Sequence, residues 1–301
     1  MTASPPKLFD AGQVRMHRDR AAQSFQDYDF LKRRESSQLI DRLEDVSRDF
    51  ARVLDLGSHD GTAAAMLAAH KQVGLVEAAE SSAAMRALVE AKGLKTRAIE
   101  GETLGLADAG YDLITSVLSL HWTNDLPGAL IQIRQALKPD GLFLGCLFGA
   151  GTLAELRTSL LEAETELTGG ATPRISPLPG LQDMAGLMQR TGFALPVVDT
   201  EPVTVRYGHP FKLLADLKGM GEQAAFAVSD KMPRKPLSRR LLARMAEIYA
   251  ERFADPDGRV RASFNVIWLS GWAPHDSQPK PLRPGSAKHS LADAVKRAGG
   301  D

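Results

Sequence analysis

Between residues 8 and 50 the apolar positions recur at helical spacing. In "RDRAAQSFQDYDFLKRRESSQLIDRLEDV", Leu31, Leu39, Ile40, Leu43 and Val46 stand among charged residues, which predicts helices. From residue 52 the period changes. Short, nearly continuous apolar runs alternate with amphipathic stretches: "RVLDLG" (strand), "TAAAMLAAHK" (helix), "QVGLVEA" (strand), "SAAMRALVEAKG" (helix), "TRAIEG" (strand) and "YDLITSVLSL" (strand). The helix "LPGALIQIRQAL", the turn "KPDG" and the strand "LFLGCLF" complete the series. Such alternation, with Gly/Asp turns between elements, predicts βαβ units around a parallel sheet. A sheet buried on both faces accounts for strands that are apolar throughout.

After Gly151 the pattern loosens. "TLAELRTSLLEAETEL" places Leu153, Leu156, Leu160 and Leu161 at helical spacing, and the Gly/Pro-rich loop "TGGATPRISPLPG" follows. "LQDMAGLMQRTGF" reads as a helix stopped by Gly192, and "PVVDTEPVTVRYG" as two strands. Residues 211–253 read as largely helical, "RASFNVIWLSGWAP" as a last strand, and the Pro-rich remainder from Pro274 as a mobile tail with room for one short helix.

Composition narrows the function classes. Lys+Arg and Asp+Glu balance at 37 each in 301 residues, so nothing polybasic points to nucleic acid or an anionic membrane. No run approaches the roughly 20 apolar residues of a membrane span, and the N-terminus lacks a basic segment followed by an apolar stretch. With Cys146 as the only cysteine, intrachain disulfides and zinc knuckles are excluded, and Cys146 in "GLFLGCLFGAG" reads as core. These features give the expectation of a cytoplasmic protein.

In an open parallel sheet, ligands bind beyond the C-terminal ends of the strands. Asp55 leads into Gly57, Ser58, His59, Asp60 and Gly61, a glycine turn ahead of a helix N-terminus that can approach an anionic or polar ligand closely. Glu77 and Glu80 are read as following the second strand, where an acid can accept both hydroxyls of a ribose. Glu100 and Glu102 follow the third, within reach of an adenine amino group. The three stations together describe an adenosine-sized crevice, whereas the turn alone is equally an ordinary strand–helix connection. At the fourth strand end, His121 reads either as a packing histidine or as a base, and Trp122 as a pocket wall. Asn124 or Asp125 caps the next helix. Arg174, between two prolines, is a candidate substrate contact or a plain surface charge. Tyr28 matters to substrate only if the N-terminal helices fold over the crevice, and Arg18 and Arg20 read as solvated charges.

The order of "VLDLGSHDG", "VEAAESSAAM" and "YDLITSVLSLHWTNDLPGALIQIRQALKPDGLFL" resembles the class I S-adenosylmethionine (SAM)-dependent methyltransferases, on the branch that includes the malonyl-carrier-protein methyltransferases of biotin synthesis. "RDRAA", "YDFLK", "TLAELRTSLLEAETELTGGATPRISP" and "DLKGMGE" look like the mitochondrial complex I assembly factor 5 family and its bacterial relatives. The resemblance implies an α/β, doubly wound, seven-stranded Rossmann-like sheet. It implies SAM as cofactor and a small-molecule or protein methyl acceptor, with a respiratory complex I subunit as a candidate partner. Carried over, Asp55, Gly57, Ser58 and Gly61 fall on the cofactor loop, Glu80 (or Glu77) on the ribose acid, Glu100 or Glu102 on the adenine contact, and Leu118 and Trp122 on the pocket wall. His121 is the candidate catalytic group. His59 stands where that fold usually has glycine: it either contacts the methionine carboxylate or crowds it.

The domain expectation is N-terminal helices as a lid (1–50), a SAM-binding core (51–150), a helical insert with the closing strands (151–273) and a polar tail (274–301). The leading functional expectation is methyl transfer. Arginine hydroxylation on a complex I subunit is an alternative that rests on resemblance, since His59, His121 and nearby carboxylates form no evident iron triad and no metal ligands are assigned. A non-catalytic binding factor is the third.

Overall fold

The computed structural model describes residues 7–228 and 236–279. Its first apolar run is strand β1 (Phe50–Leu56), flanked in the sheet by β2 (Val73–Glu80) and β4 (Tyr111–Val117). With β3 (Lys95–Ala98), β5 (Leu137–Phe148), β6 (Ala194–Tyr207) and β7 (Val260–Trp272) they form one seven-stranded sheet, in the order β3-β2-β1-β4-β5-β7-β6. The first five strands are parallel, and β7 runs antiparallel to both of its neighbours. Strand order reverses between β1 and β4, which places the ligand-binding switch point beside the loop after β1.

Alternate residues of the central strands feed two apolar layers. Val53, Leu113, Leu144 and Cys146 pack with Leu39, Leu67 and Tyr249 on one face. Leu54, Ile114, Phe143 and Leu147 pack with Leu130, Ile133 and Met188 on the other. Among the helices supplying these layers are α2 (Phe30–Glu44), α3 (Thr62–Ala68), α5 (Leu126–Ala136), α7 (Leu181–Arg190) and α9 (Arg239–Phe253). Further helices are α1 (Ala11–Ala21), α4 (Ala83–Ala91), α6 (Ala154–Thr168) and α8 (Pro210–Gly219). Cys146 is buried core, and burial pushes its thiol pKa far up.

Three local expectations are corrected. "PVVDTEPVTVRYG" is one strand rather than two: Pro202 lies on β6, the sheet's outermost strand, where a missing N–H breaks no ladder bond on the free edge. "KPDG" is built into β5, with Asp140 at φ 62° and a register shift against β4 between Tyr111 and Leu113. The fourth strand stops at Val117, because Leu118 turns to φ 47° and the chain enters a 3-10 turn at Leu120–Trp122. Of the tail, residues 274–279 fold back through Gln278, whose side-chain amide donates to Asp140 (2.8 Å), and 280–301 lie outside the described residues. Among the described residues no helix is long and apolar enough to cross a membrane.

Candidate functional site

The chain leaves β1 through Gly57 (φ 70°) and enters α3 from Gly61 (φ 81°). A Cβ on Gly57 would lie 2.0 Å from Ser119 Oγ, so only glycine lets this turn meet the end of β4. Asp55, fully buried at the end of β1, accepts from Thr115 Oγ1 (3.0 Å), and burial raises its pKa. His59 also sits in the left-handed region, at φ 53°, where a side chain is costly. Its backbone N–H donates to Glu80 Oε2 at 3.0 Å, which holds the turn against β2.

Glu80 is the charged centre of this crevice. It is fully buried and accepts from His59 N, Ser82 N (2.9 Å) and Ser81 Oγ (3.0 Å). Its remaining partner is Arg18 of α1, whose Nη1 donates to both carboxylate oxygens at 3.2 and 3.3 Å while Nη2 donates to Ser119 Oγ at 3.0 Å. Burial alone would raise the Glu80 pKa; the Arg18 charge and these hydrogen bonds overcome it and hold the pKa at about 2. Arg18 is therefore no solvated charge. It is 4% exposed and paired inside the crevice.

Lys32 of α2 enters the same space from the other side. Its ammonium donates to Val117 O (2.8 Å) and Gly57 O (3.2 Å) and lies 3.1 Å from His59 Nδ1. His59 Nδ1 lies 2.9 Å from Gly57 O as well, so this nitrogen stands between a donor and an acceptor. Burial, then the Arg18 and Lys32 charges, lower the His59 pKa to about 4, so the ring is neutral at pH 7 and makes no charge-assisted contact of its own.

His59 Nε2 points towards Glu222 Oε1, 3.8 Å away. The turn ending α8 places this carboxylate, with the Glu222 N–H donating to Leu217 O (2.9 Å). Its Oε2 faces His121 Nε2 at 2.9 Å and accepts from Trp122 Nε1 at 2.7 Å. Although burial opposes ionisation, the His121 and His59 contacts and the Arg18 charge hold the Glu222 pKa below the ordinary carboxylate range. Glu222 also lines two spaces. One is a gap of about 20 Å³ beside His59, Lys32, Tyr28 and Leu118; the other is a cavity of about 670 Å³. Leu156, Leu160, Leu214, Phe226 and Phe264 make most of the larger wall apolar, and His121, Trp122, Gln13, His17 and Lys218 also line it.

The remaining candidates fall in different places. Leu118 and Tyr28 border the small gap, and the Tyr28 ring packs where a Cβ on Gly219 would come within 2.3 Å. Arg174 lines the large cavity and pairs with Glu164 at 2.7 Å. Glu77 does not follow β2, because that strand runs on to Glu80. It lies opposite Leu54 within the sheet and accepts from Tyr111 OH at 2.9 Å. Glu102 accepts from Asn124 Nδ2 (3.0 Å) and Asp125 N (3.2 Å), which anchors the loop before α5, and Glu100 is exposed. Asp125 caps α5, whereas Asn124 Oδ1 accepts from the backbone N–H groups of Leu8 and Phe9. Among the described residues no group of three His, Cys, Asp or Glu side chains is placed to hold a metal.

Sequence reasoning missed Arg18, Lys32 and Glu222 as site residues, yet each lies in a segment that carried the resemblance: "RDRAA", "YDFLK" and "DLKGMGE".

The sheet order, the glycine turn after β1 and a buried acid closing β2 define a Rossmann-like fold of the SAM-dependent methyltransferase class. The chain belongs to the methyltransferase domain family, whose model matches residues 26–196. It is 39% identical to the arginine-hydroxylase NDUFAF5, mitochondrial, of Danio rerio, over 96% of this chain and 90% of that protein. It is 30% identical to the malonyl-[acyl-carrier protein] O-methyltransferase of Halorhodospira halophila, over 90% and 91%. In fold it matches the phosphoethanolamine N-methyltransferase 2 of Haemonchus contortus, solved with SAM, with a TM-score of 0.54 at 17% identity over 87% of this chain and 60% of that one.

The residues fit SAM in kind. Gly57 lets the turn approach a ligand, Gly61 opens a helix N-terminus, and Glu80 is a carboxylate suited to a ribose diol. The chain's own side chains stand in the way. Glu80 already receives Arg18, and about 20 Å³ beside the loop is far below the roughly 300 Å³ at which pockets for such ligands begin.

Proposed function

We propose that this chain is a SAM-dependent enzyme of the methyltransferase class that acts on a cationic nitrogen side chain, an arginine of a protein partner. The observation carrying this reading is Glu222. It is an ionised carboxylate lining a largely apolar cavity, 3.8 Å from the His59 that the cofactor loop presents. A long aliphatic stem suits the Leu156, Leu160 and Leu214 wall, and a guanidinium suits Glu222 by charge-assisted hydrogen bonding. A carboxylate acceptor such as a malonyl group would meet like charge there, so the relatives named for methylating a malonyl group supply the fold and not the acceptor.

When bound, SAM supplies an electrophilic methyl on a sulfonium. Asp55, Gly57, Ser58, Gly61 and Glu80 would hold it, with Leu118 and Trp122 as walls; Glu77 and Glu102 serve the sheet and the α5 loop instead. The chain's part is positioning. Glu222 orients the acceptor nitrogen, His121 and Trp122 fix the Glu222 oxygen that they contact, and the apolar walls exclude water. In this reading His121 acts through Glu222, and Arg174 borders the acceptor path beside Glu164.

One observation favours a second reading at the same site. The relatives from Danio rerio and Homo sapiens, 39% and 38% identical, are named arginine hydroxylases, which keeps the acceptor and changes the chemistry. A respiratory complex I subunit as the partner belongs to both readings. A cytoplasmic location is also part of the proposal, supported by the single buried cysteine. Mass spectrometry of the partner subunit, from cells with and without the gene, separates the readings. Gain of a methyl group on an arginine supports transfer, gain of one oxygen supports hydroxylation, and no difference overturns both.

A further inference from the structure

Helix α1 occupies the crevice as a built element of the fold. Its Arg18 guanidinium lies on the carboxylate that a ribose would use and on Ser119 at the end of β4. The next residue, Asp19, accepts from Ser82 Oγ (2.5 Å) and from Ala84 N (3.3 Å), so it clasps the N-terminus of α4 just beyond Glu80. Ala21, Ala22 and Phe25 bury against Met85 on the same helix. Upstream, the arm is pinned by Asn124, by Asp10 N donating to Ala225 O (2.8 Å) and by the Phe9 ring set edge-on to Trp122 at 5.2 Å. One residue round the helix from Arg18, His17 lines the large cavity together with Gln13.

We infer that α1 is a latch: Arg18 and an adenosyl ligand compete for Glu80, and the ligand enters only when α1 swings away. The same helix walls the large cavity through Gln13 and His17, so opening the crevice reshapes the acceptor site. Nucleoside binding and acceptor access are therefore coupled through one movable element. The energetic basis is that no lone pair of Glu80 is idle: Arg18, His59 N, Ser82 N and Ser81 Oγ already share its two oxygens. A ribose diol gains those bonds only by replacing the guanidinium. This inference rests on the SAM reading above, and the experiment separates the two.

The test is calorimetric titration of S-adenosylhomocysteine into the full chain and into Asp19→Ala and Arg18→Ala, with hydrogen exchange followed over residues 11–27. Asp19→Ala releases the clasp on α4 and leaves the Glu80 partners in place, so it guards against loss of fold in Arg18→Ala. If the latch keeps the open form to about a tenth of molecules, loosening it raises apparent affinity up to about tenfold. The expected results are tighter binding in Asp19→Ala and faster exchange over 11–27 when the ligand binds the wild-type chain. Wild-type binding with unchanged or weaker affinity in both variants overturns the latch and leaves the SAM reading standing. Absence of binding in all three folded proteins overturns both.

Discussion

The crevice over the β1 turn and the cavity beside it share Glu222 as a wall, yet they are built in opposite ways. The crevice is filled by the chain's own polar side chains: Arg18 on Glu80, Lys32 on Val117 O and Gly57 O, and a neutral His59 beside Lys32. The cavity holds about 670 Å³ of open space behind leucine and phenylalanine side chains, with Glu222, Arg174 and Lys218 also lining it. Burying ions is costly unless each is paired, so removing either member of the Arg18–Glu80 pair leaves an unpaired charge in the crevice. The cavity wall is mostly apolar, and its Leu156, Leu160 and Phe264 also belong to the core, so truncating them costs stability as well as changing shape. One region is set up to be opened and the other to be filled.

The largest way to break that contrast is Glu80→Ala. It strands Arg18 in a buried site, and removing one partner of a buried pair costs about 3–5 kcal/mol. Chemical denaturation should show that loss, and titration should show no S-adenosylhomocysteine binding. Gly57→Ala comes next. The new Cβ would meet Ser119 at 2.0 Å, on a backbone with φ 70°, so more than about 1 kcal/mol of stability is lost. Calorimetric melting is the check, and a neutral result would mean that the turn and the β4 end are not in contact.

Glu222→Gln sharpens the contrast from the other side. It keeps the shape and removes the charge, so turnover of an arginine acceptor falls at least about tenfold through loss of a charge-assisted bond. S-adenosylhomocysteine affinity changes less than about twofold, because the Glu80 contacts are untouched. Steady-state kinetics beside calorimetry reads both.

The smallest effect is pH dependence. The folded His59 pKa, about 4, lies below its ordinary 6.5, so the unfolded chain binds that proton first as pH falls. The His59 contribution is complete above pH 6.5 and is lost progressively as pH falls towards 4. Glu80 and Glu222, also depressed, add losses only below about pH 4.5. Melting temperature should therefore drop between pH 7 and 5 in the wild-type chain and stay flatter over that window in His59→Gly. A glycine also relieves the φ of 53°.

The strand–helix alternation and the glycine turn could be read from local pattern because each depends on residues within a few positions of one another. Asp55, Gly57, Gly61 and Glu80 meet because successive strands lie side by side with β1 at the centre. The ions that fill the crevice were not legible in this way. Arg18 is 62 positions from Glu80, and Lys32 is 85 from Val117. Nothing in "MHRDRAA" distinguishes a buried arginine from a solvated one until α1 is laid against β2 and β4. Glu77 was misplaced because the apolar period does not say where β2 stops. Glu102 shows the converse: it follows the third strand, yet its ties to Asn124 and Asp125 lie more than twenty positions away and could not be read locally.

The most direct test of the central claim is a crystal structure of the chain with S-adenosylhomocysteine. The ribose hydroxyls should lie on Glu80, with Arg18 withdrawn from that carboxylate and α1 displaced. A nucleoside bound elsewhere, with the Arg18–Glu80 pair intact, would contradict it.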